Sequence, residues 1–181
     1  MIKPEAFSHI GKIIEAIEQT DLEISKIKMS KLTKECAVGI YGKFSKNYFY
    51  LPYIDYITSS PVVGLELTGL NAIEHWKKLI AKTTMEEAKM KYPNSLRARF
   101  GIDQSKNAVH GSDDLNESNI QLSLFFEDKL MKGVKTNEFK NSSCLIIKPH
   151  IIKNKQVGKI IDIIINHGFK ISGMEMMVLD K

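Results

Sequence analysis

With 181 residues, 43% of them hydrophobic, the chain can pack a core for one ordinary domain, or for one domain plus part of another, which excludes a disordered composition. No apolar run approaches the ~20 residues that span a bilayer, and Met1-Ile-Lys-Pro-Glu5 lacks a signal peptide's basic-then-apolar order, so a cytoplasmic protein with no membrane partner is expected. The formal charge of +5 comes from scattered lysines and fits nucleotides or an acidic protein surface, and without a recognition motif or an aromatic-rich basic strand no nucleic-acid partner is expected.

Ile2-Lys3-Pro4 reads as the end of a strand, after which Ile10, Ile13, Ile14 and Ile17 fall at helical spacing with Ser8 as the cap. Leu22 and Ile24 alternate, and Ile27 and Met29 alternate in the opposite phase, which predicts a strand with a bulge or twist. Lys34 to Tyr56 reads as one or two helices carrying Tyr41, Phe44, Phe49 and Tyr53. Ser59 to Leu67 is a strand entered through a turn, Asn71 to Ile80 a helix carrying Trp76, and Thr83 to Ser95 a short helix and a loop. The order β-α-β-α-β-α-β predicts an α+β sandwich with helices on one face of a sheet. Cys36 and Cys144 are too few and too far apart for a disulfide framework or a zinc site and read as reduced, buried thiols.

The opening succession returns near the other end. Ile147-Lys148-Pro149, Gly158-Lys-Ile-Ile161 and Ile171-Ser-Gly-Met-Glu-Met176 echo Ile2-Lys3-Pro4, Gly11-Lys-Ile-Ile14 and Ile24-Ser-Lys-Ile-Lys-Met29, and Gly11 to Ile24 spans the same 13 residues as Gly158 to Ile171. The second copy has Ser143-Cys-Leu-Ile146 ahead of its Ile-Lys-Pro and the first has only Met1, so the chain is expected to be a piece of a longer protein. Glu127 to Asn141 is the expected linker. A lone strand-helix-strand unit leaves Ile160, Ile161, Ile164 and Ile165 uncovered, so association with other chains is expected.

The chemistry concentrates between Arg97 and Asp113. Arg97 and Arg99, one residue apart, lie on one face of an extended segment and offer planar forks to anionic oxygens. Ala108-Val109-His110 reads as a short strand with Gly111 permitting a sharp exit, which leaves the imidazole at a strand end. Asp114-Leu-Asn-Glu117 has capping-box spacing, with Ile120, Leu124 and Phe125 as the apolar stripe of the next helix. An imidazole that is neutral near pH 7 beside anion donors suits a phosphoryl acceptor, a base or a metal ligand. On residue type alone Lys3 is equally a solvated lysine, Tyr41 and Phe49 core residues, and Arg97 one half of an ion pair. Neither Gly-x4-Gly-Lys-Ser/Thr nor His-Arg-Asp occurs, which argues against a P-loop enzyme or a protein kinase.

Asn107-Ala-Val-His-Gly-Ser-Asp113, with Arg97 upstream, resembles the active-site signature of nucleoside diphosphate kinases. The resemblance covers residues 1–126 as one nearly complete domain and 142–181 as the start of a second, joined by 127–141. It implies a ferredoxin-like α/β sandwich, with His110 relaying a phosphate from a nucleoside triphosphate to a diphosphate and Mg²⁺ bridging the nucleotide oxygens. It places Lys3, Thr83 and Arg97 on phosphates, Tyr41 near the histidine, Phe49 on the base, Asn107 on the sugar hydroxyl and Ser112 in the turn that supports His110. Where the family has a phosphate-binding arginine this chain has Lys77, where it has a glutamate orienting the histidine this chain has Gln121, and His150 stands where it has an aspartate. His9, His75 and His167 read as surface or helix-end residues. The tandem arrangement is similar to a two-domain member of the family from ciliated eukaryotes. That likeness implies an alternative role, a structural protein of microtubules or the cilium axoneme with tubulin or other axonemal proteins as partners. It also implies oligomers or intrachain pairing of the domains.

Overall fold

The computed structural model describes residues 1–127 and 140–178, so the expected linker 127–141 lies almost wholly outside the described residues. Pro4 opens a 3-10 turn, Pro4–His9, which runs into helix α1, Ile10–Glu18, whose isoleucines at 10, 13, 14 and 17 are fully buried as their spacing requires. The N-cap of α1 is His9 and not Ser8, because the 3-10 turn already satisfies the first amides. Strand β1, Glu23–Ser30, pairs antiparallel with β2, Val62–Thr68, and the register slips between Ile24 and Lys26 where the sequence changed phase.

Ile2 continues this sheet by bridging Val63 on one side and Val109 on the other. The other edge, along β1, is taken by the second copy: Met29 N donates to Met174 O at 2.8 Å and Met176 N to Ile27 O at 2.9 Å. The order across the sheet is therefore Val109, Ile2, β2, β1, then 174–176. Helices α2, Lys34–Tyr41, and α3, Tyr50–Ile57, follow β1; α4, Ala72–Ile80, α5, Met85–Lys91, and α6, Leu96–Phe100, follow β2; α7, Leu115–Leu122, follows the His110 segment. The fold is α+β and ferredoxin-like, with helices on both faces of the sheet. Val62 and Val63 point in opposite directions and each meets its own core, Val63 with α1 and Trp76, Val62 with α2, α3 and Phe125.

Several local expectations are corrected: helices pack on both faces of the sheet rather than one, and Cys144 is exposed rather than buried. Leu96–Phe100 is helical, capped by Ser95, whose hydroxyl accepts from Ala98 N, so Arg97 turns into the protein while Arg99 stays exposed over Phe100. Val109 makes only an isolated bridge, because Ala108 sits at φ +67°. Ile120 of α7 is exposed, and Leu124 and Phe125 pack against the second core without it.

The sequence repeat becomes a pseudo-twofold pairing. Helix α8, Pro149–Lys153, leads into α9, Val157–Asn166, which lies against α1 through reciprocal glycines. A Cβ on Gly11 would sit 2.3 Å from Asp162 N, and one on Gly158 would sit 2.2 Å from Glu15 N. Glu18 closes the contact, its carboxylate accepting from Val157 N at 2.9 Å and Gly158 N at 3.0 Å and so satisfying free amides at the start of α9. The second copy's opening segment, Ser143 to Ile147, forms no ladder, and Leu145 and Ile146 are exposed.

Gly158→Ala tests the crossing with a clear sign. Helix propensity alone favours alanine by ~1 kcal/mol, whereas overpacking against the Glu15 backbone costs about 1–3 kcal/mol. Thermal unfolding is expected to show net destabilisation, and hydrogen exchange to show lost protection at the Met29 and Met176 amides. A stabilised variant with both amides still protected contradicts the crossing.

Candidate active site

The His110 segment is fastened to the sheet by main-chain bonds. His110 N donates to Met1 O at 2.9 Å, the Met1 amine donates to His110 O at 3.0 Å, and Lys3 N donates to Ala108 O at 2.8 Å. Left-handed backbone at Ala108 is unfavourable for a residue with a Cβ, and the Glu5 carboxylate holds it there by accepting from Ala108 N at 2.8 Å. Trp76 Nε1 also donates to His110 O, at 3.3 Å. Gly111 is required by this indole and not by an unusual φ, since a Cβ would lie 2.3 Å from Trp76 Nε1.

The imidazole Nε2 lies 2.9 Å from Gln121 Oε1, which also accepts from Ser112 Oγ at 2.9 Å. Gln121 Nε2 in turn donates to Glu117 Oε1 at 2.8 Å. An amide whose NH₂ faces a carboxylate must turn its carbonyl to the histidine, so Nε2 carries the ring proton and Nδ1 keeps the lone pair. Protein encloses the ring, with part of the residue still open to solvent. Burial, with the chain's amino group next in effect, pushes the imidazole down to about 3, so it stays neutral at physiological pH.

Tyr41 and Lys3 surround this nitrogen donor. The Tyr41 ring is edge-on to His110 at 5.1 Å and to Tyr53 at 4.8 Å, and its hydroxyl is buried beside Tyr53. Lys3 is buried over the Tyr53 ring, with Nζ donating to Asn107 Oδ1 at 2.7 Å and Ser105 O at 2.8 Å. Burial, with Arg97 adding to it against the pull of Glu5, lowers Lys3 to about 7. Arg97 is buried, donates Nη1 to Thr83 O at 3.2 Å, and has its Nε without a partner.

The other expected residues divide. Asn107 is held by Lys3 and by its own bond to Gln104 O at 2.9 Å. The Thr83 hydroxyl is engaged by Glu87, so only its carbonyl reaches Arg97. Lys77 binds Glu74 at 2.7 Å and Asp113 O at 3.3 Å. Phe49 is the N-cap of α3, one turn before Tyr53, half-exposed and edge-on to the fully exposed Tyr48. His150 is exposed near the start of α8 and joins none of this, and His9 stacks on Phe100 at 4.9 Å.

Sequence reading missed four charged groups. Lys43 bridges Asp113 and Glu117 at 2.7 Å each, and Lys82 binds Asp113 and Gly111 O; Lys43 first, then Lys82, hold the Asp113 carboxyl well below its usual range. Nothing local marks these lysines, because the contacts span 29 to 74 residues. Glu117 had a local signal, four residues before Gln121 on one helix face. Glu5, the fourth, follows Lys3-Pro4 directly.

A family model described as Nucleoside diphosphate kinase matches residues 1–131 and 141–181. The chain belongs to the nucleoside diphosphate kinase family. It is 36% identical to Nucleoside diphosphate kinase homolog 7 of Rattus norvegicus, covering 100% of this chain and 46% of that protein, so it spans under half the length of that relative. Over 76% of this chain it is 33% identical to Nucleoside diphosphate kinase of Archaeoglobus fulgidus, covering 91% of that protein. Among solved structures the Aquifex aeolicus nucleoside diphosphate kinase superposes with a TM-score of 0.67 and 32% identity over 72% of this chain and 94% of its own. The Halobacterium salinarum enzyme in complex with CDP gives 0.62 and 26% over 72% and 86%.

The two shifted groups set a pH dependence. A His110 held near 3 stays more than nine-tenths neutral down to about pH 4, whereas Lys3, held near 7, is charged below that value and loses its charge above it. For a phosphate transfer that uses both groups, kcat/KM is expected to be level between about pH 5 and 6, to have fallen by about half near 7 and to fall further above it. A rate that falls on acidification through about 6.5, the free imidazole value, contradicts the buried neutral histidine.

Proposed function

We propose that the chain carries out nucleoside diphosphate kinase chemistry, with His110 Nδ1 as the phosphoryl carrier. The observation that carries this reading is the network that protonates Nε2 and leaves Nδ1 bare, beside a buried arginine whose Nε lacks a partner. Buried donors without acceptors are costly in an empty site and are satisfied by anionic oxygens. Lys3, Arg97 and Tyr41 bind and orient the phosphates, Phe49 offers its exposed ring to the base, and Asn107 lies beside Lys3 to meet the sugar hydroxyl.

The Nδ1 lone pair attacks the γ-phosphorus, the N–P bond forms, and the bond to the bridging oxygen breaks with its electron pair leaving on the diphosphate. His110 keeps its Nε2 proton throughout and shares the resulting cationic charge with the Gln121 carbonyl. A second diphosphate takes the group by the reverse displacement. In this reading Mg²⁺ would sit on the nucleotide's own phosphates and neutralise charge there. Residues 1–126 form the working domain in this reading, and 142–181 begin a second one. The alternative of a docking block in an axoneme or microtubule lattice rests on the likeness to tandem relatives alone, and no described residue favours it.

Incubation of the full chain with γ-labelled ATP is expected to put acid-labile, base-stable label on His110, and His110→Ala to abolish it with the unfolding transition retained. Label that persists in that variant removes His110 as the carrier. Arg97→Lys keeps a charge but loses the fork, and on the order of a hundredfold slower labelling is expected.

A further inference from the structure

We infer that Glu117 is a positioning residue for His110: through the side-chain amide of Gln121 it fixes which imidazole nitrogen carries the proton. The inference rests on the phosphohistidine reading and deepens it.

An amide has two orientations of nearly equal shape, and neither Ser112 nor His110 distinguishes them, since a hydroxyl and an imidazole can each donate or accept. Glu117 can only accept. It accepts from Lys43 Nζ at 2.7 Å on Oε1 and from Asp113 N at 2.6 Å on Oε2. With Gln121 Nε2 at 2.8 Å on Oε1 as well, three donors converge on one carboxylate. The Gln121 NH₂ must therefore face Glu117 and the carbonyl must face His110. Turned over, the amide would offer N–H to Nε2, drive the ring proton onto Nδ1, and block attack on phosphorus.

Glu117 also acts at a distance on the charge that develops. As the N–P bond forms, the ring becomes cationic, and its Nε2–H donates to a carbonyl polarised by a carboxylate on the far side of the amide. The glutamate that the family resemblance expects at position 121 is here displaced one helical turn, to 117, with the amide as the link. Gln121→Glu alone would put two carboxylates in contact, so that change by itself sets like charges against each other.

The test uses the full chain labelled with ¹⁵N, with the His110 ring signals assigned by their loss in His110→Ala. Wild-type protein is expected to show Nε2 protonated and Nδ1 bare. In Glu117→Gln a substantial fraction is expected to shift to the Nδ1–H form, and single-turnover labelling from γ-labelled ATP to slow on the order of ten- to a hundredfold with little change in half-saturation. Glu117→Gln with Gln121→Glu is expected to restore both, because a carboxylate then accepts Nε2–H directly. Should Glu117→Gln not fold, Gln121→Met removes the link while leaving Lys43 and Asp113 on Glu117, and the same loss of tautomer is expected. Wild-type tautomer and wild-type rate in these variants overturn the inference, as does a slowed rate with the tautomer unchanged. A wild-type chain that takes no label refutes the transfer reading, and the tautomer comparison then still decides the role of Glu117.

Discussion

The central constraint is the pairing of Ile2 between Val63 and Val109. This one fully buried residue ties β2 to the segment that carries His110, and its neighbours on either side supply the bonds that fix Ala108 and His110. A nucleophile on a loop would need side-chain packing to hold it within a fraction of an ångström. Here the main chain does most of that. The same three residues then deliver Lys3 beneath the site, so a short run of backbone pairing sets both the imidazole and a buried cation. The unfavourable φ at Ala108 is sustained because a bond on each side, to Glu5 and to Lys3, opposes its relaxation.

Around this frame the charges sort by depth. Carboxylates at Asp113 and Glu117 lie toward the surface, each paired with lysine, while the imidazole and Lys3 lie deeper. Burial disfavours charge on both of the deeper groups, and the consequences differ. A neutral imidazole keeps a lone pair free, whereas a lysine lowered toward neutrality would regain its charge beside an anion. The cations beside His110 would repel a protonated ring, so surroundings suited to an anion also keep the imidazole unprotonated.

Much of this was legible in the residues, and what was missed has physical causes. The isoleucine spacing of α1 and the phase change in β1 are local signals of packing, and both elements formed accordingly. The repeat was visible too, because two copies of one packing surface carry the same pattern. Arg97 was misread as extended although Ser95 stood in cap position for a helix, a signal outweighed by the spacing of two arginines. Glu117 was read only as part of a capping box. In the structure Asp114 does cap α7, while Glu117 reaches past it to Asp113 N and sideways to Gln121. Lys43 and Lys82 were beyond reach, since only the folded chain brings them to Asp113.

The placement of the second copy follows from the order of the sheet. Val109 lies at one end of that order and the segment 174–176, bridged to Lys28 at Glu175, at the other, with Ile2, β2 and β1 between them. No residue from 140–178 lines the cavity of about 110 Å³ beside His110, whose walls come from Trp76, Gly111, Ser112, Gln121, Leu65 and Phe125 among others. An unpaired β1 would offer a row of free amides and carbonyls to any passing strand. Covering it with the chain's own repeat removes that hazard at the edge farthest from the chemistry, so the pairing of the copies stabilises the frame without entering the site.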